Sequence, residues 1–201
     1  MELHEVIRRR AMVRSFSDDP VDPSVLERIL HAALRSPTAG NAGGTAWVVL
    51  TGAEQTALYW SASTDAQWRA TSGRYEGLAR APVILLSYAS APAYVARYGE
   101  PDKAESGLGA GPDRWPVPYW LGDAAFGVMT VLLCAVDAGL GACVLGAFRG
   151  APRLAAAVGV PEEWTLFSAV ALGHPDGADR PSPSLARARP PRPARIHYGR
   201  W

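Results

Sequence analysis

The stretch from 119 to 145 constrains the fold more than any other part of the chain. Between Asp123 and Asp137 lie 13 uncharged residues, apolar on nearly every side of a helix. Gly139 and Gly141 then stop the helix before a second apolar run, Ala142-Cys143-Val144-Leu145-Gly146. A helix without a polar face needs cover all round, and this one falls short of the roughly 20 residues that cross a bilayer. It therefore reads as the buried central helix of a globular domain, over about 119–138, expected to be its most buried element and followed by a strand at 142–146. A chain of 201 residues that is 48% hydrophobic and 19% charged carries enough apolar matter to supply that cover as one domain, 1–201.

The other elements follow from pattern. Val83-Ile84-Leu85-Leu86-Ser87-Tyr88 is a continuous run suited to a strand buried on both faces. Trp47-Val48-Val49-Leu50-Thr51 and the segment 165–172 read as further strands. Leu3, Val6 and Ile7 share one face of a short helix over 2–10. Asp22 and Pro23 supply the cap and first turn of a second helix, which Ser36-Pro37 stops. A polar helical region spans 54–80, a short helix 151–158, and the Gly-, Pro- and charge-rich stretch 98–118 reads as a long loop or lid. Helices and strands alternate without strict βαβ repetition, which indicates an α/β or α+β domain rather than a doubly wound sheet.

Charge is placed unevenly. Arg8, Arg9, Arg10 and Arg14 fall within seven residues of a chain whose net charge is only +1. Guanidinium groups grip phosphate through paired, charge-assisted hydrogen bonds, so the cluster points to one anionic ligand; cations that complement a helix C-terminus are the alternative. Arg187, Arg189, Arg192, Arg195 and Arg200 form a second basic cluster in the tail, 176–201. Near-neutral charge argues against a dedicated nucleic-acid binder. His4, His31, His174 and His197 lack metal-ligand spacing, so no metal is expected. Gly107-Leu108-Gly109-Ala110-Gly111 has no preceding strand and makes a poor dinucleotide fingerprint. Cys134 and Cys143 read as small core residues of a protein in the reducing cytoplasm, and no apolar signal segment or membrane partner is expected.

The ordered set of motifs resembles the FMN-dependent nitroreductase family over nearly the whole chain. The matching stretches are Arg9-Arg10-Ala11-Met12-Val13-Arg14-Ser15-Phe16, Ser36-Pro37-Thr38-Ala39-Gly40-Asn41 and Asp123-Ala124-Ala125. Gly139-Leu140-Gly141-Ala142-Cys143-Val144-Leu145-Gly146-Ala147-Phe148, Ala171-Leu172-Gly173-His174-Pro175, and Arg192-Pro193 with His197 and Trp201 complete it. The resemblance implies an α+β fold, a nitroreductase-like α/β sandwich with a central mixed sheet and a long buried helix, assembled as a homodimer with FMN at the subunit interface. It implies that Arg10, beside Arg9 and aided by Arg192 and Arg189, holds the FMN phosphate. Arg14 would lie at the pyrimidine end and favour the reduced, anionic flavin. Pro37, Thr38, Gly40 and Asn41 would cover the ring from the other subunit, and Leu145 and Gly146 would bring backbone N–H groups to its N5 and O4.

Under this resemblance NADH or NADPH reduces the flavin and leaves, and a small electron-poor acceptor such as a nitroaromatic or quinone follows in ping-pong order. The flavin carries the chemistry, so no catalytic side chain is assigned. Trp115, Tyr119 and Trp120 are candidate walls of the acceptor pocket, with dimer or core packing as the alternative. Two departures stand out: Met12 where the family often has Ser, and Ala42-Gly43-Gly44 where a Gln often follows the Asn. Dehalogenase or biosynthetic dehydrogenase chemistry on the same fold, and a non-catalytic flavin-binding protein, are the rival readings.

Overall fold

The computed structural model describes residues 1–146, 149–180, 182–188, 191 and 195–200. Four strands, β1 (Thr45–Thr51), β2 (Val83–Ala89), β3 (Gly141–Leu145) and β4 (Thr165–Gly173), form one sheet in the order β1-β2-β4-β3. All three pairings are antiparallel. The expected mixed sheet is thus corrected: the parallel element among the described residues is a single bridge, Met12 to Ala142, outside the four strands. Every residue of β2 is buried, because β2 lies between β1 and β4 and carries helices on both faces. That is why its sequence runs apolar without alternation.

One face of the sheet is covered by α2 (Pro23–Leu34) and α7 (Tyr119–Asp137), whose Leu26, Ile29, Val128, Val131 and Ala135 pack on Val83, Leu85, Val170 and Leu172. The other face is covered by α3 (Gly52–Ser63), α5 (Tyr75–Ala79) and α8 (Ala151–Val158), through Tyr59, Trp60, Leu78 and Leu154. The α+β class and sandwich stand. The start of α2 is built as its sequence says, with Pro23 in the first turn and Asp22 Oδ1 accepting from the Ser24 amide at 2.7 Å. The central helix α7 differs from expectation. By length and composition it is apolar enough to cross a membrane, but its inner face is core and its outer face leaves Phe126 53% and Met129 48% exposed. It has two apolar faces and the sheet covers one; β2 is the most buried element.

The expected helical region 54–80 is three helices, α3, α4 (Ala66–Thr71) and α5. It breaks where Asp65 Oδ1 accepts from the Trp68 amide at 2.7 Å and caps a new helix. The expected loop or lid at 98–118 is instead packed. It is preceded by α6 (Ala91–Tyr98), capped by Ser90, and folds back on that helix in short 3-10 turns. Arg97 holds Asp102 through two bonds of 2.7 Å each, and Gly109 lies so close that a Cβ would sit 2.5 Å from the Gly99 nitrogen.

Since Leu86 is fully buried between the two central strands' helical covers and Leu34 is 60% exposed, their truncations separate cleanly. Leu86→Ala is expected to lower unfolding stability by about 2–5 kcal/mol, and Leu34→Ala to stay within about 0.5 kcal/mol, both read from urea midpoints.

Candidate functional site

The N-terminal arginines do not act as one cluster. In α1 (Leu3–Arg9), Glu5 accepts from Arg8 Nε and Nη2 at 2.8 and 2.7 Å and from Arg9 Nε at 2.5 Å. Those are pairs between turn neighbours on the helix surface, and the Arg9 side chain is 58% exposed. Arg10 stands one residue past the helix. Its Nη1 is buried and has no hydrogen-bond partner among the described residues, an arrangement that costs free energy until an anion or acceptor meets it.

From Arg10 the chain runs beside β3 and parallel to it. Met12 bridges Ala142, and the Val13 amide donates to the Ala142 carbonyl at 3.0 Å. Val13 fills the space that a side chain at Gly141 would need, since a Cβ there would lie 2.9 Å from it. Arg14 follows toward the Leu145 end of β3, its Nη1 donating to the Met12 carbonyl at 3.0 Å. Beyond it, Ser15 Oγ donates to Asp176 Oδ2 at 2.8 Å, and Arg80 reaches both the Phe16 carbonyl at 2.7 Å and Asp176 Oδ2 at 2.6 Å. The Ala178 amide, the Ser15 hydroxyl and Arg80 together hold the Asp176 carboxyl below its usual range.

Two cavities flank α5. One of about 590 Å³ is cationic, with Arg14, Arg74, Arg80 and Arg180 in its wall against Glu76 and Asp179. Arg74 and Arg180 have no side-chain partner among the described residues, so this cavity keeps uncompensated positive charge. Gly77 is there because a Cβ would lie 2.7 Å from the Arg14 carbonyl. The other, of about 430 Å³, is aromatic, with Tyr59, Trp60 and Trp68 beside Leu78, Leu145 and Gly146. An Arg149–Asp65 ion pair of 3.0 Å also lines it. Cys143, on β3, has its thiol pushed up by burial.

The expected ring-covering residues lie elsewhere. Pro37, Thr38, Gly40 and Asn41 precede β1, at the opposite edge of the sheet from β3. Three strand spacings, about 14 Å, separate the two edges. Their turn rests on α6 and α7: the Ala39 amide donates to Asp123 Oδ2 at 2.7 Å, and Arg97 Nε donates to the Gly40 carbonyl at 2.8 Å. Trp115, Tyr119 and Trp120 belong to the same region, in edge-to-face contacts that link Trp115 to Tyr94, Tyr98, Tyr119 and Trp120. Trp115 is buried, and its indole N–H is spent on the Leu108 carbonyl at 3.0 Å. It is a packed aromatic beneath the turn rather than a free pocket wall, while Tyr119 stays half exposed.

The structure therefore sorts the expected residues into two groups. Arg10, Arg14, Leu145 and Gly146 gather at the β3 edge; Pro37, Thr38, Gly40, Asn41, Trp115, Tyr119 and Trp120 gather beyond β1. Arg189 and Arg192 lie outside the described residues. Sequence reasoning missed Arg74, Arg80 and Arg180, which no motif links, and Trp60 and Trp68, which sit in a stretch read only as polar helix. It used Asp123 as a motif marker without seeing it as a buried carboxylate, although an acid within the first turns of an apolar helix was a visible signal.

A model of the nitroreductase family matches residues 7–174. A protein of Archaeoglobus fulgidus described as an NADH dehydrogenase/NAD(P)H nitroreductase is 27% identical over 203 residues, spanning 100% of this chain and 99% of its own. Among solved structures, a nitroreductase of Bacillus subtilis superposes with a TM-score of 0.75 at 16% identity over 98% of each chain. A nitroreductase of Desulfovibrio desulfuricans in complex with FMN does so with a TM-score of 0.62 at 21% identity, over 94% of this chain and 98% of that one. At these identities the structural likeness establishes the fold.

The Asp176 network has a pH signature. A carboxyl held below its usual range contributes stability above the unfolded-state value of about 3.9 and loses it as pH falls through the folded value. Asp176→Asn is therefore expected to lower Tm at pH 7, with the gap from the parent closing as the pH is taken down toward 3, measured by thermal melts.

Proposed function

The chain belongs to the nitroreductase family, and on that footing we propose that it is an FMN-dependent, NAD(P)H-consuming oxidoreductase that reduces a small electron-poor acceptor, such as a nitroaromatic or quinone. The observation that carries the reading is the buried Nη1 of Arg10, which has no partner among the described residues, on a segment locked to β3. A phosphate is the group that such a guanidinium suits. Arg10 would hold the FMN phosphate, with Arg189 and Arg192 of the tail as further cations. Arg14 and the cationic cavity would bias the flavin toward its anionic reduced form, and the backbone at Leu145 and Gly146 would meet the ring edge. Bound FMN would supply the hydride-transfer chemistry that links the nicotinamide to the acceptor. The aromatic cavity beside Leu145 and Gly146 would offer such an acceptor the rings of Tyr59, Trp60 and Trp68 to stack against.

A homodimer completes this reading. The covering turn and its aromatic bed sit at the wrong edge of the sheet to reach the Arg10–Arg14 segment of their own chain, so a second copy would bring them. Leu3, Ile7, Phe126 and Met129 give α1 and α7 exposed apolar side chains of the kind that a second copy covers. The unpaired thiols of Cys134 and Cys143 suit a cytoplasmic setting.

Two measurements test this. The purified protein is expected to be yellow with about one releasable FMN per chain. Arg10→Ala is expected to raise the FMN dissociation constant by about 10- to 100-fold, as loss of a charge-assisted hydrogen bond would. A colourless protein that takes up no added FMN would overturn the flavoenzyme reading. Phe126→Glu with Met129→Glu is expected to give a folded monomer by light scattering that no longer retains flavin.

A further inference from the structure

Asp123 is an expensive residue in its place. It is 5% exposed on an otherwise apolar helix, and no cation lies within ion-pair distance of it among the described residues. A buried carboxylate without a counter-charge persists only if hydrogen-bond donors serve it. Two do, both on Oδ2 at 2.7 Å: the Tyr94 hydroxyl from α6 and the Ala39 amide from the turn before β1. Burial and the facing carboxylate both push the Tyr94 phenol up, so it remains a donor.

What this arrangement holds is a strained piece of backbone. Gly40 has φ +62° and Asn41 φ +55°, the latter the one non-glycine residue with positive φ among those described. Asn tolerates this region better than most residues, but the conformation still needs support from its surroundings. Support comes from every side. Asp123 takes the Ala39 amide, Arg97 gives to the Gly40 carbonyl at 2.8 Å, and the Asn41 amide donates to the Thr38 carbonyl at 2.8 Å. Tyr98 lies beneath, so close that a Cβ on Gly40 would be 2.6 Å from its ring. Arg97 is itself fixed by Asp102. The Ala39 and Asn41 amides and the Thr38, Ala39 and Gly40 carbonyls are thus satisfied internally, while the Asn41 side chain is exposed and makes no hydrogen bond to the described residues.

We infer that Asp123, with Tyr94, is a positioning residue that clamps the 38–41 turn so that Asn41 is presented, pre-formed, to the cofactor bound at the facing site. This rests on the flavoenzyme reading above. A well-packed apolar side chain at 123 would serve the core as well or better, and it would leave the Ala39 amide without its acceptor. The carboxylate is therefore explained by the turn and not by the helix. Pre-organisation of this kind works through small displacements, because a polar contact to a bound ring is lost within about an ångström.

The test compares Asp123→Ala, Asp123→Asn, Tyr94→Phe and Asn41→Ala in the intact protein. By hydrogen–deuterium exchange, Asp123→Ala should speed exchange of peptides covering 38–44 by about tenfold, as loss of a charged acceptor predicts. Peptides of β2 should not change. Asp123→Asn, which keeps an acceptor oxygen, should restore most of the protection. Tyr94→Phe, a milder change expected to fold, should give an intermediate effect and replaces Asp123→Ala if that variant does not fold. For FMN affinity, Asp123→Ala and Asn41→Ala should each weaken binding about tenfold, and the double variant no further than either alone. Unchanged exchange at 38–44, or flavin effects that multiply in the double variant, would overturn the clamp. A parent protein that neither holds nor takes up FMN overturns the flavoenzyme reading and the presentation of Asn41 with it, while the exchange data still decide whether Asp123 clamps the turn.

Discussion

The pairing of β2 with β4 at the centre of the sheet governs the rest of the molecule. β2 throughout and β4 from Ser168 onward are buried on both faces, so helices must cover each side, and β1 and β3 are left as the two edges. Each edge is then put to a different use. The segment 10–14 lies along β3 and brings Arg10 and Arg14 to the strand that ends in Leu145 and Gly146. The turn at 39–41 feeds β1 from the far side, seated on α6 and α7. Because β2 and β4 stand between them, these two assemblies cannot close on one ligand within a chain. Under the proposed reading, a site that uses both assemblies would be shared between two copies, which would bury the apolar outer face of α7.

What could be read in the sequence was what depends on local pattern. The unbroken apolar run at 83–88 announced a strand covered on both faces, and Asp22-Pro23 announced the start of α2. The run from Arg9 to Phe16 and the small-residue turn at 38–41 were legible as units. What could not be read depends on chain segments meeting in space. The cationic cavity draws Arg14, Arg74, Arg80 and Arg180 from distant places, and only the packing of α5 against residues 14–16 assembles them. Helix α6 is short and rich in Ala and Tyr, with Pro92 in its first turn, so its 3.6-residue pattern has too few turns to show. Trp115 looked like a pocket wall because it sits in a Gly- and Pro-rich loop. The structure packs that loop down, with the indole N–H satisfied and the ring in a cluster of five aromatics.

The arginine cluster shows why charge counted along a chain differs from charge available in a site. Arg8 and Arg9 fall three and four residues after Glu5, so the helix itself places both over that one carboxylate, which ties up both side chains and offsets one of their two charges. Arg80 is likewise matched by Asp176. Arg10 escapes because the helix ends at Arg9: the backbone turns extended at that point, and the side chain leaves the surface row that Glu5 controls. Arg14 escapes because the extended segment carries it along β3, four residues farther on. A helix one turn longer would have taken in Arg10 to Val13 and removed the extended stretch that lies along β3. The length of α1 therefore decides which of the four arginines remain free to meet an anion, and Gly141, by admitting Val13, decides that the segment bearing them docks on β3.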